Sequence, residues 1–210
     1  MHILRAASRQ FAHKTYSAVS LDDILGDAEV TKGAMYFHFR SKYALALAII
    51  EYRGAVARAS VDQLLAQRRS GLETLIDISY FIAVEDISDE TARAALNLLE
   101  CIGRTDNLAA DVLGRWVSAF ADFAREAIEE GDITQEHEPD SIARLLVSTY
   151  LGLRQTTDLS EPEQFLRSLE RVWAMLLPGF AEPNRIGYLS QFVTRRAAVA
   201  IKRVTPFLAK

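Results

Sequence analysis

Apolar residues recur along this chain at helical intervals, and from Gly71 onward no segment shows strand-like alternation or a hairpin turn. Ile3, Leu4, Ala7 and Phe11 share a face and predict a first helix over residues 3–13. Leu21, Ile24, Leu25 and Ala28 predict a second, with Met35, Phe37 and Phe39 on a third just beyond a turn. Leu45, Ile49, Tyr52 and Val56 follow at intervals of four, three and four, which carries a fourth helix to about Gln67. Residues 72–86 are apolar on nearly all sides, as a central helix packed by several others requires. Further helices are predicted over residues 90–102, 111–130, 139–157 and 160–177, with one more in the tail from Glu182. The expected architecture is all-α. It has a three-helix helix-turn-helix head over residues 1–45 and a helical-bundle body over residues 46–210.

Start and stop signals agree with this periodicity. Ser20 can cap the second helix, with Asp22 and Asp23 in its first turn at the positive end of the dipole. Thr31 can cap the third and Ser41 the fourth. Gly131 is a natural residue just past a helix end, and Pro139 suits a first turn, where its missing N–H costs nothing. The run SEPE at 160–163 opens another helix, which Pro178 and Gly179 are expected to close.

Two short helices joined by a tight turn, over Leu21 to Lys42, form a helix-turn-helix pattern whose second helix would enter the DNA major groove. With Thr31 capping, Lys32, Gly33 and Ala34 lie at the exposed N-terminal end of that helix. Lys32 is long enough to reach guanine O6 and N7, while Gly33 and Ala34 keep the face low for close approach. Tyr36 and His38 add donors one turn on. Lys42, opening the next helix, is placed to clamp a phosphate. The aromatic run Tyr36, Phe37, His38, Phe39 cannot be buried on all sides, so alternate members must face outward, with Phe37 or Phe39 the expected core residue.

The arrangement ILRAASRQF, then TY, then SLDDILGDAEVTKGAMYFHFRSKYAL resembles the DNA-binding head of the TetR family of one-component transcriptional repressors over about the first fifty residues. That resemblance implies DNA-contacting positions at Thr31, Lys32, Gly33, Ala34, Tyr36 and His38, and a phosphate-contacting lysine at Lys42. Two departures stand out: Glu29 replaces the usual turn glycine, and Thr15 replaces the glycine that usually precedes the aromatic here Tyr16. A non-glycine residue in a left-handed turn costs roughly 1 kcal/mol, so Glu29 predicts a slightly strained or differently shaped turn.

Composition changes this picture little. Of 210 residues, 50% are apolar and 25% charged, which is ordinary for a globular chain. Neither a long apolar run nor a charged-then-apolar leader is present, so the expectation is a cytoplasmic protein with no membrane partner. The net charge of −4 divides unevenly: residues 1–45 hold six Lys or Arg against four Asp or Glu, or +2, leaving −6 on the rest. A cationic head on an acidic body directs phosphate contact to one end, and so modest an excess calls for a dimer. The single cysteine, Cys101, is expected to be a buried small hydrophobe.

In the body, Trp116, Phe120 and Phe123 project from one helix at spacings of four and three. Core packing explains them, and so does a cavity roofed by Trp116 for a small hydrophobic effector, with Tyr80, Phe81, Asn97, Thr149 and Gln155 as candidate partners. The helices over 139–157 and 160–177 carry wide apolar stripes, including Leu146, Leu153, Phe165, Leu169, Trp173 and Leu176. These fit a four-helix homodimer interface, or the subunit's own core. The YFHF run, the position of Trp116 and the VWAMLLPG segment resemble the γ-butyrolactone receptors of actinobacteria. In that subgroup a tryptophan at this position lines the hormone pocket; a repressor for another apolar small molecule is the alternative. There is no HExxH, paired CxxC, phosphate-binding glycine loop or GxSxG elbow, and the histidines His2, His13, His38 and His137 are scattered. No cofactor, metal site or catalytic residue is therefore expected. An enzyme or a helical adaptor without DNA binding remain readings of a different class.

Overall fold

The computed structural model describes residues 2–204. Among them lie ten α-helices: α1 (His2–His13), α2 (Leu21–Ala28), α3 (Lys32–His38), α4 (Lys42–Leu65), α5 (Gly71–Ser88), α6 (Glu90–Ile102), α7 (Leu108–Glu129), α8 (Pro139–Thr156), α9 (Pro162–Phe180) and α10 (Pro183–Arg203). A 3-10 turn over Thr105–Asn107 and one antiparallel bridge, Ile133 to Ala181, complete the inventory of regular elements. The all-α expectation holds. The chain forms two compact units, one of residues 2–60 and 88–111, the other of residues 61–87 and 112–204. The first unit contains α6 as well as the N-terminal helices.

In the first unit α1 buries Ile3, Ala6, Ala7 and Phe11 against α2 and α6. The Phe11 ring stacks on Tyr16 with centroids 5.8 Å apart. The last carbonyls of a helix lack intrahelical partners, and here Asn97 of α6 supplies them, donating to the carbonyls of Phe11 and Ala12 at 3.0 and 3.2 Å. Glu90 lies 3.6 Å from His13 at the same end. Ser41 caps α4 by accepting from the Ala44 N–H at 3.0 Å. Only Leu45, Ala46, Ile49 and Ile50 of α4 are buried. The predicted stripe therefore ends early, with Tyr52 exposed and Val56 half-buried. Cys101 is exposed, not buried as expected: α6 turns Leu98, Leu99 and Ile102 inward, and Cys101 falls between those positions on the outer side.

In the second unit α5 is the central helix, burying Leu72, Leu75, Ile76, Ile78, Ala83 and Ile87. Gly71 opens it because α7 crosses there: a Cβ would stand 2.3 Å from the Phe123 carbonyl oxygen. Gly131 closes α7 in a left-handed conformation with φ 76°, as its position predicted. Asp132 next to it is buried and binds both the Ser70 hydroxyl and Arg185, each at 2.5 Å. Asp77, also buried, is paired with Arg69 and Arg196.

α9 does not stop at Pro178. In the last turn a proline forfeits only its own bond back to residue 174, and the Ala181 N–H still reaches the Leu177 carbonyl at 2.8 Å. What ends α9 is the bridge. The Thr134 N–H takes the Phe180 carbonyl and the Glu182 N–H takes that of Asp132, both at 2.9 Å, which holds Ala181 extended. The basic tail forms α10, packed on α9; Lys210 lies outside the described residues.

Candidate functional site

The turn between α2 and α3 is built as its sequence predicts, including its strain. Ser20 and Asp23 make a reciprocal capping box, each side chain bonding the other's backbone N–H at 3.0 Å. The bonds from Ser20 hold the Asp23 carboxyl below its usual range. Glu29 is left-handed, φ 53° and ψ 39°. Across the unit, Arg9 braces the end of α2 through both Asp27 carboxylate oxygens, at 2.9 and 3.1 Å.

α3 is seven residues long and is pinned at one point. Met35 is fully buried, while Lys32, Gly33, Ala34, Tyr36, Phe37 and His38 are exposed. Thr31 caps the helix, accepting from the Ala34 N–H at 3.2 Å. The predicted DNA-contacting set thus lies together on one free helix. The expectation that Phe37 or Phe39 fills the core is wrong: Phe37 is 86% exposed and Phe39 half-buried. Residues two apart on a helix point about 200° from each other, so Met35 and Phe37 cannot share a face.

Lys42 is also placed differently from a free phosphate clamp. Its ammonium donates to the carbonyls of Tyr16 and Val19, both at 2.8 Å, and lies 4.3 Å from the Tyr16 ring centroid. Burial raises the Tyr16 phenol above its ordinary value. Two of three ammonium donors are therefore spent on tying the segment between α1 and α2 to the start of α4.

The second unit contains a narrow cavity of about 30 Å³, lined by α5, α7, α8 and α9. Trp116, Phe120 and Thr149 of the expected set line it, together with Ser79, Tyr150 and Trp173. Phe81 does not. Leu75, Ser79 and Ile82 are the α5 residues facing the cavity, and Phe81 sits two positions past Ser79, on another side of the helix. Asn97 is engaged at α1, Gln155 is exposed, and Tyr80 is buried outside the lining, with its phenol driven up by desolvation.

The polar groups of the cavity are mostly committed. Trp173 Nε1 donates to the Ser79 hydroxyl at 3.1 Å, and Ser79 in turn donates to the carbonyls of Leu75 and Ile76. The Tyr150 hydroxyl donates to Asp86 at 3.2 Å, and Arg154 forks onto the same carboxylate at 2.5 and 3.2 Å. Thr149 and Trp116 keep their hydroxyl and indole N–H uncommitted among the described residues. Sequence reasoning missed Tyr150 and the Asp86–Arg154 pair, and it placed Trp173 at a dimer interface or in the subunit's own core instead of on the cavity wall. Nothing in periodicity reveals a pairing across 68 residues.

The residues expected at a dimer interface are used within the chain. Phe165, Leu169 and Trp173 are at most 3% exposed, and Leu146 and Leu153 are also buried. Leu146, Leu169, Trp173 and the half-buried Leu176 line the cavity. A wide apolar stripe faces its own core first. The outward rows of these helices are instead Leu145, Ser148 and Gly152 on α8, and Arg171 and Met175 on α9, all exposed.

No helix among the described residues is long and apolar enough to cross a membrane. The family description "Bacterial regulatory proteins, tetR family" matches residues 3–49. The A-factor receptor protein of Streptomyces griseus is 28% identical over 188 residues, 89% of this chain. The chain spans just under two thirds, 65%, of that relative's length. The transcriptional regulator AcuR of Cereibacter sphaeroides is 30% identical over 150 residues, 67% of this chain and 68% of that protein. A crystal structure of a γ-butyrolactone receptor, an ArpA-like protein, superposes with a TM-score of 0.81 at 27% identity, over 94% of this chain and 96% of that one. These relatives are regulators, which decides against the enzyme reading. With its helix-turn-helix head and its all-α body, the chain belongs to the TetR family of bacterial transcriptional regulators.

Proposed function

We propose that this protein is a cytoplasmic, effector-responsive repressor that binds a near-palindromic operator as a homodimer. The observation that carries the reading is α3, exposed at every position except the Met35 that anchors it. Two such helices, related by a two-fold axis, would occupy successive major-groove turns roughly 34–36 Å apart. Thr31 shapes the helix start, Lys32 reaches a base edge over the low surface of Gly33 and Ala34, and Tyr36 and His38 contact the backbone. Lys42 has one ammonium donor left for a phosphate, and its larger task is to hold the segment between α1 and α2 in place.

The effector is a small, mostly apolar molecule whose binding widens the narrow cavity of the second unit. Its polar contacts are limited to the Thr149 hydroxyl and the Trp116 N–H, since Ser79, Tyr150 and Trp173 already satisfy partners within the protein. An acyl lactone of the γ-butyrolactone type meets that description, with a lipid-like chain and one carbonyl-bearing end. The similarity to γ-butyrolactone receptors favours it over other hydrophobic molecules. The outward rows of α8 and α9 form the dimer face, where Ser148 and Gly152 permit close approach of the backbones and Met175, 72% exposed, supplies the apolar contact. An effector releases DNA only to the extent that it binds the non-operator state more tightly.

Selection of duplexes from a random pool, with and without a synthetic γ-butyrolactone, tests the reading. A recovered palindrome released by the lactone, with release blunted in Thr149→Val, is the expected result. A palindrome indifferent to any lactone would refute the effector class, and absence of any enriched duplex at low salt would refute DNA binding.

A further inference from the structure

We infer that Phe37 is a direct base-reading residue, recognising the 5-methyl group of a thymine in each half-site. The inference rests on the operator-binding reading above and adds to it a residue and a base. On α3, successive residues are turned by about 100°. With Met35 facing the core, Gly33 and Phe37 fall within about 20° of the opposite direction, on the ridge of the helix most distant from the protein. Both are exposed, and a Cβ added to Gly33 would meet nothing closer than the Thr31 hydroxyl at 4.0 Å. The ridge therefore drops at Gly33 and rises one turn later at Phe37.

A phenylalanine 86% exposed on so short a helix contributes no burial to its own fold. Its ring is nonetheless oriented, because the His38 ring meets it edge-on, with centroids 5.1 Å apart and planes at 87°. A held apolar plate on the outer ridge has one complementary feature in the major groove. The edges of G, C and A offer donors and acceptors, whereas thymine alone adds a methyl group. Phosphate and sugar offer a phenyl ring nothing comparable. His38 is then a positioning residue for Phe37 as well as a backbone contact.

The test uses the full-length protein and the duplex it selects, with each thymine replaced singly by deoxyuridine, which removes only the methyl group. Fluorescence anisotropy at fixed salt should show one thymine per half-site where the parent loses affinity about fourfold, the value of one buried methyl, and about sixteenfold when both half-sites are changed. Phe37→Ala should bind the thymine and uracil duplexes equally. Circular dichroism of the variant should match the parent, since the side chain is not buried. A parent indifferent to uracil at every position overturns the inference. So does a Phe37→Ala protein that keeps the parent's uracil penalty, which would assign the methyl to Thr31 or Ala34. A parent that enriches no duplex overturns the operator reading itself, a distinct result.

Discussion

Asp86 and Arg154 offer the sharpest test of how the second unit is held together. The Asp86 carboxylate is fully buried and the Arg154 side chain is 2% exposed. The guanidinium forks onto both carboxylate oxygens, and the Tyr150 hydroxyl takes one of them as well. Removing one member leaves the other's charge buried without it, which costs about 3–5 kcal/mol. For a chain of this size that is about 6–20 °C in Tm. Removing both charges with apolar residues of similar volume costs far less than the sum, because a pair's desolvation nearly offsets its attraction. Asp86→Ala, Arg154→Met and the double variant should be compared by urea unfolding at several concentrations, since the proposed dimerisation would couple to stability. A coupling energy of at least about 2 kcal/mol between the two positions is expected. Additive losses within about 0.5 kcal/mol would refute the argument. The pair also bears on the cavity, because Tyr150 lines it with its hydroxyl turned to Asp86.

Glu29→Gly should stabilise the protein by about 0.5–1 kcal/mol, raising Tm by about 1–4 °C in a thermal melt, by relieving a left-handed residue; an unchanged or lowered Tm would mean that the turn is not strained. Arg9 beside Asp27, chiefly through its hydrogen bond, holds that carboxyl below its usual range. The stability this contributes is complete above about pH 4, the unfolded value, and is lost as pH falls through the depressed folded value. Both groups are partly exposed, so the effect is small, but Asp27→Asn should flatten the acid limb of stability against pH below about 4, and an identical limb would exclude the pair as a contributor. Met175→Glu should convert the proposed dimer to a monomer in sedimentation velocity while leaving the far-ultraviolet dichroism intact; an unchanged sedimentation coefficient would place the proposed dimer face elsewhere.

Local rules were legible wherever the chain satisfies them locally. Ser20, Thr31, Ser41 and Gly131 could be assigned from residue type and position because a cap involves only its own turn. Glu29 was legible for the opposite reason: a turn geometry that requires positive φ imposes it on whichever residue stands there. Apolar stripes were less informative. Phe165, Leu169 and Trp173 announce that α9 buries a face, but periodicity is the same whether the covering surface belongs to this chain or to a second copy. Cys101 and Phe81 were misplaced by one or two positions on their helices, an angular error of 100–200° that composition alone cannot correct.

The same distinction explains Phe37 and Met35. Both are large and apolar, two residues apart in a run of aromatics, and hydropathy ranks Phe37 as a core residue. A seven-residue helix whose outer side the proposed operator contact uses has room for one inward anchor, and the flexible Met35 takes it. An exposed aromatic beside a buried methionine is thus the trace of a surface kept open at the expense of local burial. The exposed Met175 on α9 carries the same signature in the second unit, next to stripes that are otherwise buried. Phe37 and Met175, the most exposed of the large apolar residues among the described residues, lie where the proposed function needs a base and a partner subunit, and neither could be told from core without knowing which way its helix turns.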